Sequence, residues 1–110
     1  KDENPVVFQI KEYLHQNYAV PSLSVPDISE HVRLSPTYVC TFFKNETGHT
    51  LNQYLTEYRM EKAKQLLKDS RYRISDISSR VGYSDGNYYS KAFRKIVGLS
   101  PSEYREKMLR

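Results

Sequence analysis

Tryptophan is absent from the 110 residues, cysteine occurs once and glycine only four times, and these shortages already exclude several functions. The lone thiol, Cys40, can form neither an internal disulfide nor a thiolate zinc site. The three histidines, His15, His31 and His49, are scattered without metal-ligand spacing, so no metal and no other cofactor is expected. No stretch approaches the roughly 18–20 apolar residues of a membrane span, and no secretory leader is visible. The expectation is therefore a cytoplasmic chain with no membrane contact by this fragment. Paired carboxylates, a nucleophile–base set and a phosphate-cradling loop are also missing, so no enzyme is expected. The first residue is Lys1 rather than methionine, which reads as a piece of a longer protein.

What is present is local helix punctuation. Pro5, Pro26, Pro36 and Pro101 each stand at the head of an apolar-periodic stretch, where a missing N–H costs nothing. Ser24, Ser35 and Ser100 precede three of these runs as N-cap candidates. Ser100-Pro101-Ser102-Glu103 and Thr50-Leu51-Asn52-Gln53 have the form of capping boxes. Gly48, Gly82 and Gly98 fall where helices should stop. No alternating strand pattern of useful length occurs, so the fold class is all-α. Seven helices are expected near 5–18, 25–32, 36–46, 51–68, 74–81, 86–97 and 101–109. Helix 51–68, the longest, carries Leu51, Leu55, Tyr58, Ala63, Leu66 and Leu67 as a candidate buried stripe.

The strongest signal is an internal repeat. Asp27, Ile28, Ser29, Val32 and Ser35 recur 49 residues later as Asp76, Ile77, Ser78, Val81 and Ser84. Tyr38, Phe43, Gly48 and Tyr54 recur 50 residues later as Tyr88, Phe93, Gly98 and Tyr104, so the second copy has one extra residue near Asp85-Gly86-Asn87. Each copy reads as a short helix with a small residue, a tight turn, and a second helix anchored by phenylalanine. That is the pattern of a helix-turn-helix. The expected organisation is one DNA-binding domain, 1–110, with subdomains 5–49 and 69–110 joined by a linker helix, 50–68. Charge is divided unequally: residues 1–55 carry four Lys/Arg against six Asp/Glu, and residues 56–110 carry thirteen against seven. A basic half suits nucleic acid or an acidic surface without deciding between them.

The second copy, Ile74-Ser75-Asp76-Ile77-Ser78-Ser79-Arg80-Val81-Gly82-Tyr83-Ser84-Asp85 followed by Tyr88-Tyr89-Ser90-Lys91-Ala92-Phe93-Arg94-Lys95 and Gly98-Leu99-Ser100-Pro101, closely resembles the signature of AraC/XylS-type regulators. The first copy fits as well, through Leu34-Ser35-Pro36, Phe42-Phe43-Lys44 and Glu46-Thr47-Gly48. The resemblance extends from about residue 6 to 105 and is most similar to output domains of response regulators. It implies two helix-turn-helix subdomains joined by a long helix, with both second helices in the major groove of double-stranded DNA. It further implies a bipartite promoter site, an activator, RNA polymerase as a partner, and an N-terminal sensor, receiver or dimerisation domain elsewhere in the protein. A connecting helix of about 18 residues is roughly 27 Å long, compatible with reading helices one DNA turn (~34 Å) apart.

On helix 36–46, Val39 and Phe43 should face the core, leaving Thr37, Cys40, Thr41 and Lys44 on the other side. On helix 86–97, Tyr89, Phe93 and Ile96 should be buried, and Asn87, Ser90, Lys91 and Arg94 exposed. The family pattern places base contacts at Thr37, Cys40 and Thr41, and at Gly86, Asn87, Ser90 and Lys91. Lys44, Arg94 and Lys95 are the phosphate candidates. The family often has arginine where this chain has Thr41 and Lys91, so the first subdomain should read weakly, through thymine methyls or water. Asn87 has two readings, pairing with adenine or capping its own helix. Arg59 is expected in a structural salt bridge, Cys40 to matter for its size, and most of the ten tyrosines to be core or boundary. A helical protein-binding adaptor and a single-stranded RNA binder are the competing functions.

Overall fold

The computed structural model describes residues 3–110; Lys1 and Asp2, which head the expected 1–110 domain, lie outside the described residues. Seven α-helices and no strands are present among them: α1 (Pro5–Asn17), α2 (Val25–Val32), α3 (Pro36–Thr47), α4 (Leu51–Leu67), α5 (Ile74–Arg80), α6 (Gly86–Val97) and α7 (Pro101–Met108). Each agrees with its expected range to within a residue or so, because the start and stop signals are local chemistry. Ser35 Oγ accepts the N–H of Tyr38 at 3.1 Å. Thr50 and Gln53 exchange hydrogen bonds of 2.9 and 3.0 Å across the head of α4. Ser100 and Glu103 do the same for α7 at 2.8 and 3.1 Å. These bonds satisfy N–H groups that the first helical turn leaves unpaired.

The chain divides into two compact units. The first takes the chain up to Tyr18 with Ser22–Thr56; the second takes Ala19–Pro21 with Glu57–Arg110. Helix α4 is therefore shared, its N-terminal part in one unit and its C-terminal part in the other. In the first unit Val7, Ile10, Leu14, Ile28, Val39, Phe43, Leu51 and Leu55 form the core. In the second, Met60, Ala63, Leu67, Ile77, Val81, Tyr83, Tyr89, Phe93 and Tyr104 are buried. The candidate stripe on α4 needs correcting accordingly. Tyr58 and Leu66 are only half-buried, while Met60 is buried, because the helix supplies two cores rather than one continuous seam.

The repeat seen in sequence is repeated in packing. Phe43 meets Tyr54 edge-on at 5.6 Å in the first unit, and Phe93 meets Tyr104 edge-on at 5.7 Å in the second. Both phenylalanines are fully buried, so truncating either to alanine removes about 3–5 kcal/mol. The turn between the short helix and the second helix also recurs. The N–H of Leu34 bonds the carbonyl of Ser29 at 3.1 Å, and that of Tyr83 bonds the carbonyl of Ser78 at 2.9 Å. Each bond spans a residue in the left-handed region, Arg33 (φ 61°) in one case and Gly82 (φ 99°) in the other. Ser29 Oγ donates back to the Pro26 carbonyl at 3.3 Å, so its hydroxyl is satisfied within its own helix.

Two arginines hold the second unit together. Arg59 is buried, donates to the Val20 carbonyl at 3.0 Å and lies 5.4 Å from the centre of the Tyr83 ring. Burial lowers its pKa from the ordinary range, and the Tyr83 hydroxyl opposes this. Its contacts include a backbone carbonyl and the Tyr83 side chain, both as ring and as hydroxyl. Arg105 donates to the carbonyls of Leu67 (2.8 Å), Asp69 (3.1 Å) and Leu66 (3.4 Å), closing the C-terminal end of α4.

Candidate nucleic-acid interface

In the first unit, α3 begins at Pro36 under the Ser35 cap and ends at Gly48, whose φ of 82° turns the chain out of the helix. Val39 and Phe43 are wholly buried, so the helix is pinned by one face. The opposite face then presents Thr37, Cys40, Thr41 and Lys44, all exposed, at spacings of three and four. Lys44 has no ion-pair partner among the described residues, which leaves its charge available. Cys40, Thr41 and Lys44 also border a cleft of about 470 Å³ whose lining includes Val25 and Leu51. The cleft sets a short hydroxyl and a thiol beside apolar side chains, and Asn45 and Asn52 add amides to its lining.

In the second unit, α6 is capped by Asp85, whose Oδ1 accepts the N–H groups of Asn87 (2.9 Å) and Tyr88 (3.3 Å). This overturns the reading of Asn87 as its own helix cap. With Asp85 at the N-cap, Asn87 sits two residues into the helix, exposed, and its side-chain amide makes no hydrogen bond among the described residues. The exposed amide thus offers two donors and an acceptor from the first turn of the helix. Gly86, Ser90 and Lys91 share that exposed surface. A Cβ added to Gly86 would meet only the Ser78 Oγ, at 3.8 Å, so packing within the chain does not require glycine there.

Ile96 was expected in the core and is instead 46% exposed. The last turn of α6 outruns the core before the chain reverses at Gly98, and Val97 is half-buried in its place. The repeat held the missed signal, since the matching position of the first copy is Glu46, a residue that belongs in water. The tyrosines follow expectation with two exceptions. Tyr38 and Tyr88, at matching positions one residue after Thr37 and Asn87, are 49% and 64% exposed.

The three phosphate candidates are not equivalent. Lys44 and Lys95 are exposed and unpaired among the described residues. Arg94 is exposed too, but its Nη1 bonds Glu103 Oε1 at 3.2 Å. Elsewhere in the basic half, Arg71 is paired with Asp69 at 2.7 Å and Arg73 with Asp76 at 3.3 Å. The unpaired positive charge on α6 therefore comes from Lys91 and Lys95. No group of three or more His, Cys, Asp or Glu that could hold a metal occurs among the described residues. No described helix is long and apolar enough to cross a membrane.

A helix-turn-helix domain family matches residues 28–107. The chain is 34% identical to the C-terminal domain of AraT, a response regulator from Geobacillus stearothermophilus, with a TM-score of 0.93 over 97% of this chain and 88% of that one. It is 35% identical over 102 residues to the Msm operon regulatory protein of Streptococcus mutans, covering 93% of this chain and 36% of that protein. Over 68 residues it is 41% identical to the HTH-type transcriptional activator RhaR of Yersinia pseudotuberculosis, 62% of this chain and 23% of that protein. The chain thus spans about a third or less of the length of the curated relatives it matches.

Proposed function

Because the chain belongs to the AraC-type helix-turn-helix family, we propose that it is the duplex-DNA-reading domain of a transcription regulator, with α3 and α6 as its two reading helices. The observation that carries this reading is the duplicated exposed stripe. In each unit a buried aromatic-anchored face fixes the second helix, and the opposite face offers short polar side chains beside unpaired cations. Thr37, Cys40 and Thr41 form the base-reading set of the first unit, with a cleft suited to a thymine methyl. Gly86, Asn87, Ser90 and Lys91 form that of the second, and Asn87 supplies the adenine-type pairing. Lys44 and Lys95 contact phosphate; Arg94 is the third candidate, already bonded to Glu103.

The units are unequal readers. The second lies in the basic half and carries the one amide and the one lysine among the seven base-reading positions, so it contributes more to specificity. We take residues 1–110 as one DNA-binding domain, with 5–49 and 69–110 as its subdomains and 50–68 as the connecting helix. The complete protein would act in the cytoplasm as an activator at a bipartite promoter site, with RNA polymerase as a partner and a sensor, receiver or dimerisation domain outside this segment. The activator assignment is supported by the likeness to RhaR, and a receiver by the likeness to AraT.

Selection of random duplexes with this domain tests the reading. Two short enriched blocks, one lost on substituting Thr37 and Thr41 and the other on substituting Asn87 and Lys91, are the expected result. A single block would assign reading to one unit only. No enrichment, with equal binding to all duplexes, would reject sequence-specific recognition and favour a helical protein adaptor.

A further inference from the structure

The two units carry the same capping device after their second helices, with one difference in charge. In the first, Thr50 N–H bonds Gln53 Oε1 at 2.9 Å and Gln53 N–H bonds Thr50 Oγ1 at 3.0 Å. In the second, Ser100 N–H bonds Glu103 Oε1 at 2.8 Å and Glu103 N–H bonds Ser100 Oγ at 3.1 Å. Fifty residues separate Gln53 from Glu103, and the same interval separates Lys44 from Arg94. The neutral Gln53 can hold no cation in an ion pair, and Lys44 is unpaired. The anionic Glu103, by contrast, binds the guanidinium of Arg94 at 3.2 Å. The cap itself fixes the carboxylate, since the Ser100 N–H and hydroxyl hold Glu103 below its ordinary range, with Arg94 adding to the effect.

We propose that Glu103 is a brake on DNA affinity: it keeps Arg94 in an intramolecular ion pair and so withholds one phosphate contact from the second unit. This rests on the reading of α6 as a DNA-contacting helix. A carboxylate and a phosphate compete for the same donors of a guanidinium. The pair is exposed on both sides, so it is weak enough to break and strong enough to bias where the guanidinium lies. Glu103 is a positioning residue here: it touches no base, and it sets how many cations of α6 face the duplex. The first unit shows the device without the brake, because Gln53 makes the same cap.

The test measures affinity for the selection-enriched duplex and for a random-sequence duplex across a salt series, using wild type, Glu103→Gln, Arg94→Ala and the double variant. Releasing Arg94 should steepen the log–log salt slope by up to about 0.9 and raise affinity by about two- to fivefold near 0.1 M salt, the most that an exposed pair can withhold. Arg94→Ala alone should change wild-type affinity by less than about twofold, and the double variant should show none of the gain. Weaker binding by Glu103→Gln would mean that the carboxylate aims Arg94 at the duplex, overturning the brake. A gain that survives Arg94→Ala would assign the effect to the carboxylate's own repulsion and overturn it equally. Glu103→Gln preserves the cap that Gln53 already makes, so the fold should persist with a melting temperature only slightly below wild type, by the small loss of the carboxylate's favourable charge. The reciprocal Gln53→Glu should pair Lys44 and flatten the slope. If wild type discriminates among duplexes while both reciprocal variants leave the slope unchanged, the brake alone fails. If wild type binds all duplexes alike or none, the DNA reading fails and takes the brake with it.

Discussion

Arg33 is the only residue other than glycine with positive φ among the described residues, and replacing it should make the protein more stable. It sits at φ 61°, ψ 42° in the turn after α2, where its N–H bonds the Ser29 carbonyl. The left-handed conformation costs an L-residue about 1–2 kcal/mol, which glycine avoids. Arg33→Gly also gives the unfolded chain more freedom, which returns about 0.5–1 kcal/mol of that gain. The side chain is exposed and makes no hydrogen bond or ion pair among the described residues, so nothing else is lost. The net expectation is stabilisation by about 0.5–1 kcal/mol, or a melting temperature higher by about 3–6 °C. The second unit has already made this choice, with Gly82 at φ 99° in the matching turn. Thermal and urea unfolding followed by circular dichroism would measure it. Arg33→Ala controls for loss of charge and should lie within about 0.5 kcal/mol of wild type, since alanine keeps the Cβ. Gly82→Ala should move the other way. An Arg33→Gly protein no more stable than Arg33→Ala would refute the strain argument.

Tyr89 is buried with no partner for its hydroxyl, and its ionisation is pushed upward by burial and then by Tyr83. Tyr89→Phe should therefore stabilise by about 1 kcal/mol in urea unfolding, and clear destabilisation would reveal a bond not accounted for. Asp69 is held down to about 2, first by the Arg71 side chain and then by its backbone N–H. Its folded value lies below the unfolded value of about 3.9, so its contribution is complete above that pH and is lost as pH falls through about 2. Asp69→Asn should flatten the acid side of the stability profile between about pH 5 and 2, and an unaltered profile would dismiss the pair. Asn87→Ala should leave melting unchanged, since Asp85 makes the cap, while relaxing preference at one base position by about 1–3 kcal/mol. Unchanged preference at every position of a selected site would remove Asn87 from the reading set.

Much of this architecture could be read from sequence because the decisive interactions are close in the chain. Ser35, Thr50, Ser100 and their partners three residues on act within one turn, so residue type and spacing are sufficient. The duplication added a second kind of legibility, since each copy checks the other. Glu46 marks the position of Ile96 as one for water, and Val39 marks that of Tyr89 as one for the core, where Tyr89 is buried as expected. What stayed hidden joins distant segments. Arg105 closes a helix that ends 38 residues earlier, and Arg59 reaches back 39 residues to the Val20 carbonyl. No periodicity announces a side chain whose partner is a remote backbone oxygen. Arg94 was legible as an exposed cation and illegible as a paired one, because its exposure depends on its helix and its pairing on the next.

Helix α4 gives Leu51 and Leu55 to one core and Met60, Ala63 and Leu67 to the other without a break. Starting a helix is the unfavourable step, and extending it is nearly free. A core that condensed on either end of α4 would nucleate the helix that the other core needs. Excising either half at its natural edge would cut through a hydrogen-bonded helix rather than a loop. The two copies are therefore divisible in sequence and yet hold one helix in common.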